Sequence, residues 1–347
     1  MKTLRCGVVG VGRMGRHHAR ICSLTDGCEL VGVVDRDADR RKAVTEQYGG
    51  EGFDSVEALI RNGVDCVVIA TPTVHHRAAA EALLAAKVHC LIEKPLAPSV
   101  SEARAIADAA ARAGVALQVG HIVRYDPVMV AIRKVVSKAP RFVEVDRISP
   151  MTFRSVDVGV VLDMMIHDID VLLMLLGCEP DEVHASAVSV LGDAEDVCNA
   201  RLVFPPDEEG RRCVANVTAS RLALKTERKI RIISEDAYLS ADFVEKKGTL
   251  IRKTANASKI AEVRQQLKDG ADLSSVNYLE LVAVEPLDVQ AGEPLKLQFE
   301  DFIAAVRAGR RPFVDAEDGF AAVRTAERIV QAARSMGARM VELGADR

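Results

Sequence analysis

One run near the N-terminus limits what this 347-residue chain can fold into. Leu4-Arg5-Cys6-Gly7-Val8-Val9 is a short apolar stretch, and it leads at once into Gly10-Val11-Gly12-Arg13-Met14-Gly15. A pattern of helical period follows to Leu24, then a second apolar stretch, Leu30-Val31-Gly32-Val33-Val34, which ends on Asp35. Strand, glycine turn, helix, strand and acid in this order form a dinucleotide-binding signature. Gly10 permits the tight turn, Gly12 lets the backbone approach a pyrophosphate, and Gly15 lets helix and strand pack closely. Arg13 and Met14 lie in the same loop, and the helix start offers free N–H groups to the phosphates. The carboxylate of Asp35 would accept hydrogen bonds from a ribose diol and repel a 2′-phosphate, which favours NAD. Arg36, next in line, could embrace that phosphate, so NADP stays open. A cap on the helix beginning near Ala38 is a further role for Asp35.

The same rhythm continues. Apolar runs at Leu4–Val9, Leu30–Val34, Val64–Ala70, Val88–Ile92 and Val115–Val119 alternate with helical patterns at 13–24, 37–48, 55–61, 75–87 and 99–113. Near-continuous apolar strands separated by helices predict an α/β fold, a doubly wound parallel sheet covered on both faces. After about residue 122 the rhythm changes. A helix at Pro127–Ser137, a strand at Phe142–Ile148 and a long apolar helix at Val160–Leu176 lead into successive strands between Val183 and Leu250. Turn signals such as Pro205-Pro206-Asp207-Glu208-Glu209-Gly210 separate these strands, which predicts a large, mostly antiparallel sheet. Residues 254–275 carry little pattern and read as a loop or a mobile insertion, and two helices close the chain at 294–308 and 317–336. The expectation is two domains, 1–121 and 122–347.

Composition narrows the classes. A net charge of −4 with interspersed signs gives no electrostatic footprint for nucleic acid. No apolar run reaches the ~18 residues of a membrane span, and no signal peptide precedes the first strand. The eight cysteines include no C-x-x-C pair and no zinc spacing. Cys6, Cys66 and Cys90 read as small core residues, and the setting expected is the reducing cytoplasm.

Several residues could carry chemistry. Lys94, in Glu93-Lys94-Pro95, follows an apolar strand and so sits at the carboxyl edge of the sheet, where ligands bind in open α/β folds. Asp163, His167 and Asp170 fall at i, i+4 and i+7 of a strongly apolar helix. Three ionisable groups on such a stripe are costly unless they pair or face a cavity. A structural network, proton exchange by His167 with an alcohol, and metal ligation all fit, although no further ligand has convincing spacing. His18 could approach a cofactor or simply pack. Thr71-Pro72 follows a strand and would line the crevice, with His76 early in the next helix. His121, Arg124 and Tyr125 lie at the domain junction, where Arg124 could bind a phosphate or bridge the domains.

Together these motifs resemble the Gfo/Idh/MocA oxidoreductase family over essentially the whole chain. The resemblance rests on Gly10–His18, Ala70-Thr71-Pro72 with His76, Glu93-Lys94-Pro95-Leu96-Ala97, and Asp163-x-x-x-His167-x-x-Asp170. It implies a Rossmann domain, a C-terminal α/β domain with an open sheet, and NAD(P)-linked oxidation of a sugar or cyclitol hydroxyl. Lys94 and His167 carry over as catalytic, Asp163 as their partner, and Glu93 and His76 join the cofactor set. It also implies self-association through the open sheet, as a dimer or tetramer. The chain departs from the family where a glycine triplet is common before the catalytic helix; only Gly159 remains of Asp157-Val158-Gly159, and Met164-Met165 replace small residues. The segments 119–127 and 157–170 are similar to a nucleotide-sugar branch that includes UDP-N-acetylglucosamine 3-dehydrogenases. That likeness implies a UDP-sugar oxidised at C3, with Arg147 and Arg154 as diphosphate contacts. The alternatives are oxidation of a free sugar or inositol and, from another class, a non-catalytic NAD-binding regulator.

Overall fold

The computed structural model describes residues 2–136, 140–151, 158–191, 194–253, 257–270 and 282–338. Six strands form the first sheet: β1 (Leu4–Val9), β2 (Cys28–Val34), β3 (Glu51–Phe53), β4 (Cys66–Ile69), β5 (His89–Ile92) and β6 (Leu117–Val119). Their spatial order is β3-β2-β1-β4-β5-β6, every pair parallel. The order reverses between β1 and β4, which opens a crevice at their carboxyl ends. All four residues of β4 are buried, as strands covered on both faces require. The covering helices are α1 (Arg13–Leu24), α2 (Ala38–Tyr48), α3 (Val56–Arg61), α4 (His76–Ala85) and α5 (Val100–Ala113). Asp37, not Asp35, caps α2, accepting from the Asp39 and Arg40 N–H groups.

The second half holds α6 (Pro127–Val135), β7 (Phe142–Ile148), α7 (Ile166–Leu176), β8 (Glu182–Val188), β9 (Val197–Val203), β10 (Val214–Ser220), β11 (Glu227–Ile233), β12 (Ala237–Asp242) and β13 (Lys247–Lys253). It then adds α8 (Ala257–Lys268), β14 (Val282–Pro286), α9 (Pro294–Ala308) and α10 (Ala316–Ser335). The eight strands run in the order β14-β13-β12-β11-β7-β10-β9-β8, with β7 and β10 parallel and the other neighbours antiparallel. One face is buried: Val143 and Val145 of β7, Ala215 and Val217 of β10, and Ile230 and Ile232 of β11 belong to one core with Ile169 and Leu172 of α7 and Val323 and Ala326 of α10.

The structure adds to the expectation at three points. The patternless stretch 254–275 contains α8, whose weak amphipathicity hid it. The short edge strands β3 and β14 were not legible, because three and five residues carry too little alternation. The boundary at 121/122 separates the two sheets but not the two cores. Leu295, Phe299, Phe302 and Ile303 of α9 pack with Val8, Ile21 and Leu30 of the first domain.

Candidate active site

The three glycines of the first turn do three different things. Gly10 has φ +84°, and a Cβ there would meet the Thr71 backbone nitrogen at 2.8 Å. Gly15 brings α1 so close that a Cβ would lie 1.7 Å from the Gly10 carbonyl oxygen. At Gly12 a Cβ would meet nothing within 4 Å, so that backbone faces open space. Here a cleft of about 790 Å³ is lined by Gly10, Gly12, Arg13, Met14, Asp35, Arg36, Thr71 and Pro72, among others. Asp35 is fixed at its rim: one carboxylate oxygen accepts from the Val11 N–H at 2.9 Å, the other from the Asp37 N–H at 3.0 Å. Each oxygen keeps a lone pair for a ligand hydroxyl. Arg36 is exposed on the same wall.

The loop after β5 carries Lys94. Beneath it, Glu93 bonds through one oxygen to His18 Nε2 (2.6 Å) and through the other to the Lys94 N–H (3.2 Å). Burial opposes the charge on Glu93, but His18 and Lys94 hold its carboxyl below the usual range. Glu93 therefore supports the loop, and its carboxylate is committed to protein partners. His76 is likewise not in the cleft. It is fully buried, with Nδ1 3.1 Å from the Pro95 carbonyl and Nε2 3.0 Å from the Thr71 carbonyl. It ties the Lys94 loop to the Thr71 turn. His75, one residue earlier, lines the cleft instead.

Lys94 reaches across to the second domain, where Nζ donates to the Asp163 carbonyl at 2.5 Å and lies 3.3 Å from its Oδ1. Asp163 stands in a widened, π-helical turn, Val161–Met165, that runs directly into α7. The Ile166 N–H returns to the Val161 carbonyl, five residues back. Glu195 anchors the start of this turn. Its carbonyl accepts from the Val160 N–H at 3.0 Å and its carboxylate from the Val161 N–H at 3.1 Å. A Cβ on Gly159 would lie 2.0 Å from that buried carboxylate, so Gly159 cannot be larger while Glu195 stays. Asp157 lies outside the described residues.

The widened turn changes the expected pairing. Asp163 holds Lys94, not the His167 ring. Nδ1 of His167 is buried without a hydrogen-bond partner among the described residues, which leaves Nε2 accessible. Burial, then the charges of Lys94 and Arg147, push His167 well below its ordinary pKa. This disfavours the imidazolium and favours the neutral ring, the form that can accept a proton.

The junction residues act structurally. Arg124 is buried against Asp170, Nε to Oδ2 at 2.9 Å and Nη2 to Oδ1 at 2.7 Å, with Asp318 at 3.3 Å. Of the roles the sequence leaves open for Arg124, the structure shows its guanidinium committed to carboxylates, which also accounts for Asp170. Tyr125 is buried and donates to Asp301 at 2.8 Å. Arg147 is spent on Asp168, at 2.7 and 2.6 Å, so it too is not a free diphosphate contact. His121 is fully buried with neither ring nitrogen partnered among the described residues, and it lies close enough to His167 to help depress its pKa. A fully buried ring cannot touch substrate directly. Arg154 lies outside the described residues. The sequence reading missed Asp168, Glu195 and Asp301. Only Asp168 had a signal: Arg147 falls at an inward position of the alternating β7, which demands an acid partner.

Residues 4–121 match the family described as "Oxidoreductase family, NAD-binding Rossmann fold", and residues 152–343 match its C-terminal alpha/beta domain. The chain belongs to the Gfo/Idh/MocA oxidoreductase family. UDP-N-acetylglucosamine 3-dehydrogenase of Acidithiobacillus ferrooxidans is 34% identical, over 91% of this chain and 93% of that one. A solved structure of that enzyme superposes with a TM-score of 0.84, covering 96% of this chain and 99% of the other. An inositol 2-dehydrogenase of Rhizobium meliloti is 27% identical over 95% of this chain and 96% of its own. At 17% identity, levoglucosan dehydrogenase in complex with NADH and levoglucosan (TM-score 0.79, covering 96% of this chain and 97% of that one) shares the fold. As a Gfo/Idh/MocA protein the chain is an NAD-binding oxidoreductase. The cleft fits that cofactor: the open Gly12 backbone suits a pyrophosphate and the Asp35 oxygens a ribose diol.

Proposed function

We propose that the protein oxidises a sugar hydroxyl to a ketone with NAD, and that the sugar is a UDP-N-acetylhexosamine oxidised at C3. The observation that carries the reaction is the meeting of Lys94, from the first domain, with Asp163 of the second, one turn before His167 in the chain. Held by the Gly12 backbone and the Asp35 carboxylate, NAD would supply the hydride acceptor for the carbinol carbon. His167 Nε2 takes the hydroxyl proton. Lys94 donates a hydrogen bond to the same oxygen as it becomes a carbonyl, and Asp163 holds Lys94 in place. A regulator that only binds NAD has no need of this pairing. The fixed Asp35 carboxylate supports NAD over NADP. The similarity to the UDP-N-acetylglucosamine 3-dehydrogenase supports the choice of sugar.

The test is NADH formation against UDP-sugars, free sugars and inositols, with NAD and NADP in parallel and a trap for the ketone. Turnover confined to UDP-N-acetylhexosamines with NAD is expected; turnover with free polyols alone would overturn the substrate. The pH profile follows from His167. A depressed pKa keeps the base neutral as pH falls, so kcat/KM for oxidation should stay level from pH 8 to below 6.5 and decline only further down. An acid limb at or above 6.5 would contradict this.

The proposal includes self-association through the second sheet. Its outer face carries a cross-strand apolar row, Val203-Val214-Phe142-Ile233-Tyr238-Ile251-Val284. A row of this length across seven strands suits burial against a second copy. All eight cysteines are free, which suits a reducing, cytoplasmic setting. Among the described residues, no helix is long and apolar enough to cross a membrane.

A further inference from the structure

With Arg124 and Arg147 both committed to aspartates, the question is which cation would meet a charged substrate. β11 supplies one. Its residues alternate, with Ile230 and Ile232 pointing inward and Lys229 and Arg231 outward, so Arg228 points inward with the isoleucines. Beyond them the inner face is no longer covered, and Arg228 is solvent-exposed. Its register partner on β7 is Arg147. Like charges directly opposite each other on one face destabilise a sheet. Arg147 is neutralised by Asp168; Arg228 makes no side-chain hydrogen bond or ion pair among the described residues. Partial burial and the Arg147 charge both oppose its protonation, while Asp168 and Asp126 favour it only from a distance. Asp168, the partner of Arg147, directly follows His167 in α7, which places Arg228 on the side of the sheet that meets the start of that helix. Arg228 is thus a cation held at a cost, at the open end of the sheet's inner face, next to the Arg147–Asp168 pair that borders His167.

We propose that Arg228 recognises the anionic part of the substrate, binding the diphosphate of a nucleotide sugar through its guanidinium fork. The inference rests on the nucleotide-sugar reading above and assigns a residue to it. A bound diphosphate would neutralise the unpaired charge and relieve the Arg228–Arg147 repulsion at once. An uncharged polyol could do neither. The planar fork suits phosphate oxygens bidentately, which a lysine cannot reproduce.

The experiment compares wild type, Arg228→Gln, Arg228→Lys and Arg231→Gln, using UDP as the probe in calorimetry and UDP-N-acetylglucosamine in turnover. Arg231 sits on the outer face of the same strand, paired with Glu144 at 3.0 Å, and controls for general damage to the sheet. Arg228→Gln should weaken UDP binding and raise KM by about ten- to a hundred-fold. Arg228→Lys should recover part of the loss, Arg231→Gln should bind UDP as wild type does, and NADH affinity should hold throughout. Wild type that binds UDP, with Arg228→Gln binding it equally well, would overturn the role of Arg228 and leave the nucleotide-sugar reading standing. Wild type that binds no UDP and turns over only uncharged sugars would overturn both.

Discussion

Alanine in place of His167 is expected to lower kcat by about 10²–10⁴-fold, the usual worth of a positioned general base, and to leave NADH affinity unchanged. The two readouts separate because the groups are separate. The cofactor cleft is lined by residues of the first domain, while His167 begins α7 in the second. Loss of the imidazole leaves the hydroxyl proton without an acceptor, since Asp163 is engaged with Lys94 and His121 is fully buried. Steady-state turnover together with NADH binding by fluorescence checks both halves. A variant working within ten-fold of wild type would remove His167 from proton transfer.

Asp168→Ala is expected to cost about 3–5 kcal/mol of stability, the range for stranding one member of a buried ion pair. Its carboxylate takes two hydrogen bonds from Arg147, with both side chains nearly inaccessible. Without it, Arg147 would sit buried and uncompensated opposite Arg228. Denaturant unfolding should show the loss. The double variant Asp168→Ala/Arg147→Met should recover most of it, because removing both charges also removes the stranded one. A single variant as stable as wild type would mean that the pair contributes nothing.

Much of this was legible in the chain, and the reasons are local. The Rossmann half follows from alternation and from three glycines whose spacing encodes a turn, an approach and a close packing. Lys94 was legible because a charged residue directly after an apolar strand must emerge at the sheet's carboxyl edge. The partners of the arginines were not. Arg124 and Arg147 look like phosphate ligands in sequence, and only the fold shows that Asp170 and Asp168 reach them first. His76 failed for a similar reason: helix position placed it near the crevice, but its ring turns inward to the Pro95 and Thr71 carbonyls. Asp163 meets Lys94 as expected but not His167, because i, i+4 spacing presumes an α-helix, and a π turn leaves no mark in hydrophobic periodicity.

That turn makes chain length before α7 a hard constraint. Val161–Met165 accommodates its residues with a wider loop of backbone, so Asp163 and α7 are held in a fixed rotational phase. Deleting one residue would close the loop to ordinary helix; the wide turn spends about one residue more than an α turn on the same rotation, so α7 would keep its phase and only the turn itself would be re-aimed. Asp163 would leave Lys94, while Asp168 and Asp170 would keep their arginines. A length change absorbed in the turn therefore moves the Lys94 partner alone, whereas one inside α7 would strike every contact of the helix together. Sequences that diversify around this scaffold should therefore do so by substitution within this segment and keep their length changes in the loops outside it.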